Sequence, residues 1–210
     1  MLHIVDDDTV LCDALVWLAK SRNIPGKSYG SAEQFLATLK NAEGAIAVLD
    51  SDAQTQFAFA AEGDCLLLDV RMQGMSGVGL FDILSAEQLN KCLPVIFLTG
   101  HGDVPMAVDA LKRGAFDFFE KPFYDNALFE RISEALVLSR QSGALAIMKQ
   151  RLARLSLRER EVLDLMLQGK LNKIIADELG ISMRTVEVHR AHIFDKMRVK
   201  SALELANWLK

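Results

Sequence analysis

The first 125 residues alternate short apolar runs with amphipathic stretches, and this rhythm is the strongest constraint on what the chain can fold into. The runs LHIV (2–5), CLLLDV (65–70), PVIFLT (94–99) and FDFF (116–119) are of strand length and are bounded by Asp, Gly or Pro. A further strand is expected near Lys27–Tyr29. Between them lie helical patterns. Residues 10–20 place Val10, Ala14, Leu15 and Leu18 on one face, and residues 31–40 open with Ser31 and Gln34 at capping-box spacing. Residues 103–113 open with Asp103 and Pro105 and stop at Gly114, which suits a helix entered through a cap and left through a left-handed residue. Strands alternating with helices predict a five-stranded parallel sheet covered on both faces.

In such a sheet, ligands bind in the crevice at the carboxyl ends of the strands. Asp6, Asp7 and Asp8 follow the first run, Asp69 ends the third, Thr99-Gly100 ends the fourth, and Lys121-Pro122 follows the fifth. Gathered carboxylates repel one another unless a cation neutralises them, and a hard divalent ion such as Mg²⁺ takes oxygen ligands of this kind. A carboxylate can itself accept a phosphoryl group. With Asp69 as acceptor, Thr99 would hydrogen-bond the incoming oxygens and Lys121 would offset their charge.

Charge divides the chain. Its net charge of −4 hides a segment 1–140 with 11 basic against 20 acidic residues and a segment 141–210 with 13 against 8. A small basic module is the footprint of a phosphate-backbone binder, although charge alone would also suit a membrane surface. Acids break every apolar run well short of a ~20-residue span, and MLHIVDDD has no signal-peptide pattern, so a cytoplasmic protein with no membrane partner is expected. Cys12, Cys65 and Cys92 are odd in number and far apart, and they read as buried small hydrophobes.

Within the basic module, residues 156–209 read as four short helices. Ser156 and Glu159 form a capping box before Val162, Leu163 and Met166. A second helix carries Ile174, Ile175, Ala176 and Leu179 and stops at Gly180. Ser182 caps a third with Val186, Ile193 and Met197 inward, and a fourth presents Leu205 and Trp208. The small Ala176, the turn at Gly180 and Val186 beyond it have helix-turn-helix spacing, which sets the third helix in the major groove of DNA. Arg184, Thr185, Glu187, Val188, Ala191 and His192 are expected to point outward, with Lys173, Arg184, Arg190 and Lys196 as phosphate contacts. Glu187 has two readings, acceptance from a cytosine amino group or an ion pair with Arg184 or Arg190. His189 and His192 lack Cys or carboxylate partners and suit packing or phosphate contacts better than metal.

The segments IVDDD (4–8), LLLDVRMQGMSG (66–77), LTGHGDVPMAV (98–108) and GAFDFFEKPF (114–123) resemble the receiver domain of two-component response regulators of the FixJ type. The segments LSLREREVLDLMLQG (155–169), LNKIIADELGIS (171–182) and RTVEVHRAHIFDKM (184–197) resemble the LuxR-type DNA-binding domain. The resemblance implies a flavodoxin-like, doubly wound α/β receiver over 1–125, a helical linker over 126–154 and an all-α four-helix domain over 155–210. It implies Asp69 as the phospho-acceptor, with Mg²⁺ on Asp6, Asp7, Asp69 and the backbone carbonyl of Arg71. Thr99 and Phe118 resemble the switch pair, and Lys121, before a cis-proline, resembles the phosphate partner. Arg71 and His101 flank the site. The implied partners are a sensor histidine kinase, promoter DNA, a second copy of the chain through residues 203–209 or the receiver, and RNA polymerase.

Two departures stand out. Gln73 occupies the place where the family has proline, which frees φ and adds a polar side chain. The chain also runs roughly fifteen to twenty residues longer between the acidic pair and Asp69 than the family spacing. This excess lies within 41–63 and reads either as a surface excursion or as a hairpin that docks a partner or the second domain. Residues 126–154 read as an amphipathic helix interrupted at Ser142-Gly143. A haloacid-dehalogenase-like phosphatase would need an Asp where Arg71 stands, and a constitutive DNA binder would leave the acidic pocket unused.

Overall fold

The computed structural model describes residues 1–40, 62–100 and 104–208. In chain order it has β1 (Leu2–Val5), α1 (Thr9–Ser21), β2 (Gly26–Tyr29), α2 (Ala32–Lys40), β3 (Cys65–Asp69), α3 (Gly77–Ala86), a 3₁₀ turn (Leu89–Lys91), β4 (Val95–Thr99), α4 (Val104–Lys112) and β5 (Asp117–Glu120). Then come α5 (Asp125–Ala153), α6 (Leu157–Leu167), α7 (Asn172–Leu179), α8 (Met183–Met197) and α9 (Ala202–Trp208). The chain divides into two compact units, Met1–Ala144 and Leu145–Lys210.

The sheet has the order β2-β1-β3-β4-β5 with every pair parallel. Its central strands β1, β3 and β4 are buried on both faces because helices cover both. Leu2, Ile4, Cys65, Leu67, Ile96 and Leu98 pack with Leu15 of α1 and with Leu128 and Ile132 of α5. Among the residues alternating with them, Phe97 meets Phe81 of α3 edge-on at 5.5 Å. Ser139 of α5 fastens the amino end of the central strands: its Oγ accepts from Asp64 N at 2.9 Å and donates to Cys92 O at 2.5 Å.

The sequence places all five strands within a residue of their observed bounds, and Gly114 adopts the expected left-handed conformation, with φ of 98°. Three details differ. On α1 the inward face is Cys12, Leu15 and Ala19, while Val10 is 77% exposed and Ala14 also faces solvent. The small side chains at 12 and 19 let the helix approach the sheet closely. At α2, Ser31 Oγ accepts from Gln34 N at 3.2 Å, but the Gln34 carbonyl takes the N–H of Gly30, at 2.7 Å, and not that of Ser31. Helix α5 runs without a break through Ser142 and Gly143. A glycine there permits a break but does not impose one, since its N–H still joins the ladder.

The excess within 41–63 lies outside the described residues except for its last two, as do His101, Asp103 and Leu209. Those last two, Glu62 and Gly63, lead into β3 at its amino end, opposite Asp69.

In the second unit, Val162, Leu163, Met166, Ile175, Ala176, Val186, Ile193, Met197 and Leu205 form one core. The Ser156–Glu159 capping box is complete, and Gly180 ends α7 with φ of 65°. Ile174, read with Ile175 and Ala176 on the second helix of this unit, is instead exposed. Three consecutive residues of a helix cannot all face inward, and α7 buries Ile175 and Ala176.

Candidate functional site

The carboxyl edge of the sheet gathers the polar groups that the order of the strands brings there. Asp6 follows β1 and is 1% exposed; its backbone N–H donates to Tyr29 O at 3.2 Å, and its Oδ1 accepts from Asp8 N at 2.9 Å. Asp8 faces away from the cluster as the cap of α1, accepting from Val10 N and Leu11 N at 3.0 and 3.1 Å. Asp69 ends β3 and is buried. Gly77, at the start of α3, makes this possible. A Cβ there would lie 2.0 Å from the Asp69 carbonyl oxygen, so only glycine lets the helix begin against the strand end.

Asp6, Asp7 and Asp69 each present a carboxylate oxygen within 4.8 Å of the others. Lys121 follows β5, where its N–H donates to Thr99 O at 2.7 Å, and its peptide bond to Pro122 is cis, as the resemblance implies. Its ammonium donates to Asp6 Oδ2 at 2.7 Å and to Asp69 Oδ1 at 2.6 Å. Burial pushes the Asp69 carboxyl above its ordinary range, with the Lys121 hydrogen bond opposing, and an N–H of Arg71 also donates to that carboxylate. Burial pulls the Lys121 ammonium down, but its bonds to Asp6 and Asp69 outweigh this and hold it above its usual value. Cys12 donates to Asp6 O at 3.5 Å; burial, reinforced by the neighbouring Asp6, pushes its thiol up to about 11, so it stays protonated and is no nucleophile.

Three carboxylates against one ammonium leave uncompensated negative charge and hard oxygen donors, a set that fits Mg²⁺. Thr99 ends β4 beside them, fully buried, and its Oγ1 has no hydrogen-bond partner among the described residues. A buried hydroxyl without a partner is costly and points to a group that arrives later. Phe118 stands apart from the carboxylates, half-buried on β5 opposite Phe97.

In the second unit, Met183, Arg184, Glu187, Val188 and Ala191 line a shallow open depression on one face of α8. Glu187 makes no ion pair with Arg184 or Arg190 among the described residues. Arg190 instead donates to Asn172 Oδ1 of α7 at 3.0 Å and lies over the Phe194 ring. Thr185 turns its hydroxyl to Ser182 Oγ at 2.8 Å, while Lys173 and His192 are exposed.

Lys196, expected at backbone phosphates, is engaged within the unit. Its ammonium donates to both oxygens of Glu159, at 2.9 and 2.6 Å, and this ties α8 to the cap of α6. The buried Glu159 carboxylate needs a cation, and the long side chain of Lys196 reaches it from the next helix. Burial raises the Glu159 pKa, but the bonds from Lys196 and Ser156 prevail and hold it below its ordinary value. Sequence reasoning missed Met183, which sits directly after the Ser182 cap, and Glu33 of α2, whose Oε1 accepts from Met75 N at 3.0 Å. No local pattern marks either.

Two substitutions test these electrostatics. Lys121→Met in EDTA is expected to lower the stability of the first unit by about 2 kcal/mol, and added Mg²⁺ to restore more in the variant than in the wild type, both read from urea midpoints. Lys196→Met is expected to cost the second unit about 2 kcal/mol, followed by Trp208 fluorescence in a Trp17→Phe background.

A family model of the response regulator receiver domain matches residues 2–133, and one of bacterial regulatory proteins of the LuxR family matches residues 153–209. The C4-dicarboxylate transport transcriptional regulatory protein DctR of Rhodobacter capsulatus is 43% identical over 209 residues, 98% of this chain and 96% of that protein. The transcriptional regulatory protein FixJ of Azorhizobium caulinodans is 39% identical over 208 residues, 97% of this chain and 89% of that one. Among solved structures, the response regulator StyR is 34% identical with a TM-score of 0.62, covering 99% of this chain and 96% of its own. Full-length FixJ from B. japonicum is 34% identical with a TM-score of 0.53, covering 99% and 94%. No helix among the described residues is long and apolar enough to cross a membrane. With the acidic edge in one unit and the exposed face of α8 in the other, the chain belongs to the FixJ type of two-component response regulators, transcriptional regulators that join a receiver domain to a LuxR-type DNA-binding domain.

Proposed function

We propose that a sensor histidine kinase transfers a phosphoryl group to Asp69 in the cytoplasm, and that this switches dimerisation and promoter binding and so regulates transcription, with RNA polymerase as a further partner. On this reading residues 1–125 are the receiver with its insertion within 41–63, residues 126–154 are a helical linker and residues 155–210 bind DNA. The observation that carries it is the buried hydroxyl of Thr99, which has no hydrogen-bond partner among the described residues, beside the Lys121–Asp69 pair.

An Asp69 oxygen attacks phosphorus, the P–N bond to the kinase's imidazole breaks, and the ring nitrogen leaves with the electron pair. Asp6, Asp7 and Asp69, with the backbone carbonyl of Arg71, would hold Mg²⁺, which when bound offsets charge on the phosphoryl oxygens. Phosphorylation removes the carboxylate charge to which Lys121 donates, and the new dianion attracts the ammonium in its place. Thr99 moves to donate its hydroxyl to a phosphoryl oxygen, and Phe118 turns inward. The face of α4 and β5 then repacks and meets a second chain. In the basic unit, exposed Arg184, Glu187, Val188, Ala191 and His192 face DNA, with Lys173, Thr185 and Arg190 flanking. Leu203 of α9, 73% exposed, lies on the surface where two such units would join.

Incubation with acetyl phosphate and Mg²⁺ is expected to add one phosphoryl group to the wild type and none to Asp69→Asn, read by intact mass, with a shift toward dimer in light scattering. A wild type that binds DNA equally well with and without the donor would reverse the reading. Arg184→Ala is expected to weaken binding across DNA sequences and to lower the salt slope of log K by about 1.

A further inference from the structure

The three carboxylates of the acidic edge are not held alike. Asp6 is fixed by Lys121 and by the N–H of Asp8, and Asp69 by Lys121 and an N–H of Arg71. Asp7 is exposed, and the one hydrogen bond to its carboxylate among the described residues comes from the backbone N–H of Gln73, which reaches Oδ2 at 3.2 Å. That bond exists because residue 73 is not proline. Proline, expected at this position, has no N–H to give. A carboxylate has about four lone-pair sites, so one donor leaves Asp7 able to bind a cation as well. The loop that supplies the donor is itself tethered two residues on, where Met75 N donates to Glu33 Oε1 at 3.0 Å.

We infer that the Gln73 N–H is a positioning group for divalent metal: it holds Asp7 facing Asp6 and Asp69 before the ion arrives, so that less order must be imposed on binding. This rests on the metal site proposed above. The group acts through Asp7 and touches no metal itself. Its loss therefore weakens metal binding by the worth of one hydrogen bond to a charged acceptor, roughly three- to tenfold.

The test is calorimetric titration of Mg²⁺ into the full-length, unphosphorylated protein. Gln73→Pro is expected to raise the dissociation constant by about three- to tenfold, and Gln73→Ala, which keeps the N–H, to leave it within about twofold. Because proline also restricts Met72, the same titration is run on a protein with the amide N–H of residue 73 replaced by an ester oxygen, which removes the donor alone. In an Asp7→Ala background, which leaves no side-chain acceptor, neither replacement should weaken binding further. Wild-type affinity in both donor-less proteins would overturn the inference, as would a loss that persists in the Asp7→Ala background. A wild type that takes up no Mg²⁺ would overturn the metal site itself and this assignment with it.

Discussion

The ammonium of Lys121, placed between Asp6 and Asp69, is the interaction on which the acidic edge depends. Two carboxylates that are almost wholly buried cannot both stay charged side by side without a cation, because burial and mutual repulsion each favour protonation. Three strands must end in step for that cation to reach both. Their register is set by the apolar residues of β1, β3 and β4, which are buried on both faces of the sheet, and by Gly77, which lets α3 start against Asp69. The hydrophobic core thus determines the electrostatics of the edge, and one lysine makes them tolerable.

The second unit solves a similar problem differently. Glu159 is buried at the cap of α6, where its carboxylate completes the box with Ser156, and Lys196 of α8 supplies the opposing charge. The consequence reaches the exposed side of the same helix. With Lys196 turned to Glu159 and Arg190 to Asn172, the outward row of α8 consists of Met183, Arg184, Glu187, Val188 and Ala191. Two basic residues that pattern alone assigns to phosphate thus also hold the unit together, Lys196 at Glu159 and Arg190 at Asn172.

Much of the fold was legible because it rests on local rules. Strand-length apolar runs, caps at Ser156 and Ser182, and the left-handed Gly114 and Gly180 each follow from the chemistry of one or a few neighbouring residues. The misses share another cause. Which face of α1 is inward depends on the sheet beneath it, so Ala14 and Cys12 could not be ranked from spacing alone. The continuity of α5 through Gly143 depends on whether the helix on either side outweighs one weak residue, and here it does. For Lys196 the deciding partner lies 37 residues away.

The order of residue types along the chain settled the parallel sheet, the acidic edge and the helix-turn-helix, since period, capping and strand-end chemistry are properties of the chain itself. Only the tertiary structure decided which charges meet. It paired Lys121 with Asp6 as well as with Asp69, left the Thr99 hydroxyl without a partner among the described residues, gave the N–H of Gln73 to Asp7 and joined Lys196 to Glu159. Hydrogen bonds and ion pairs act over about 3 Å, and separation along the chain does not determine separation in space at that scale.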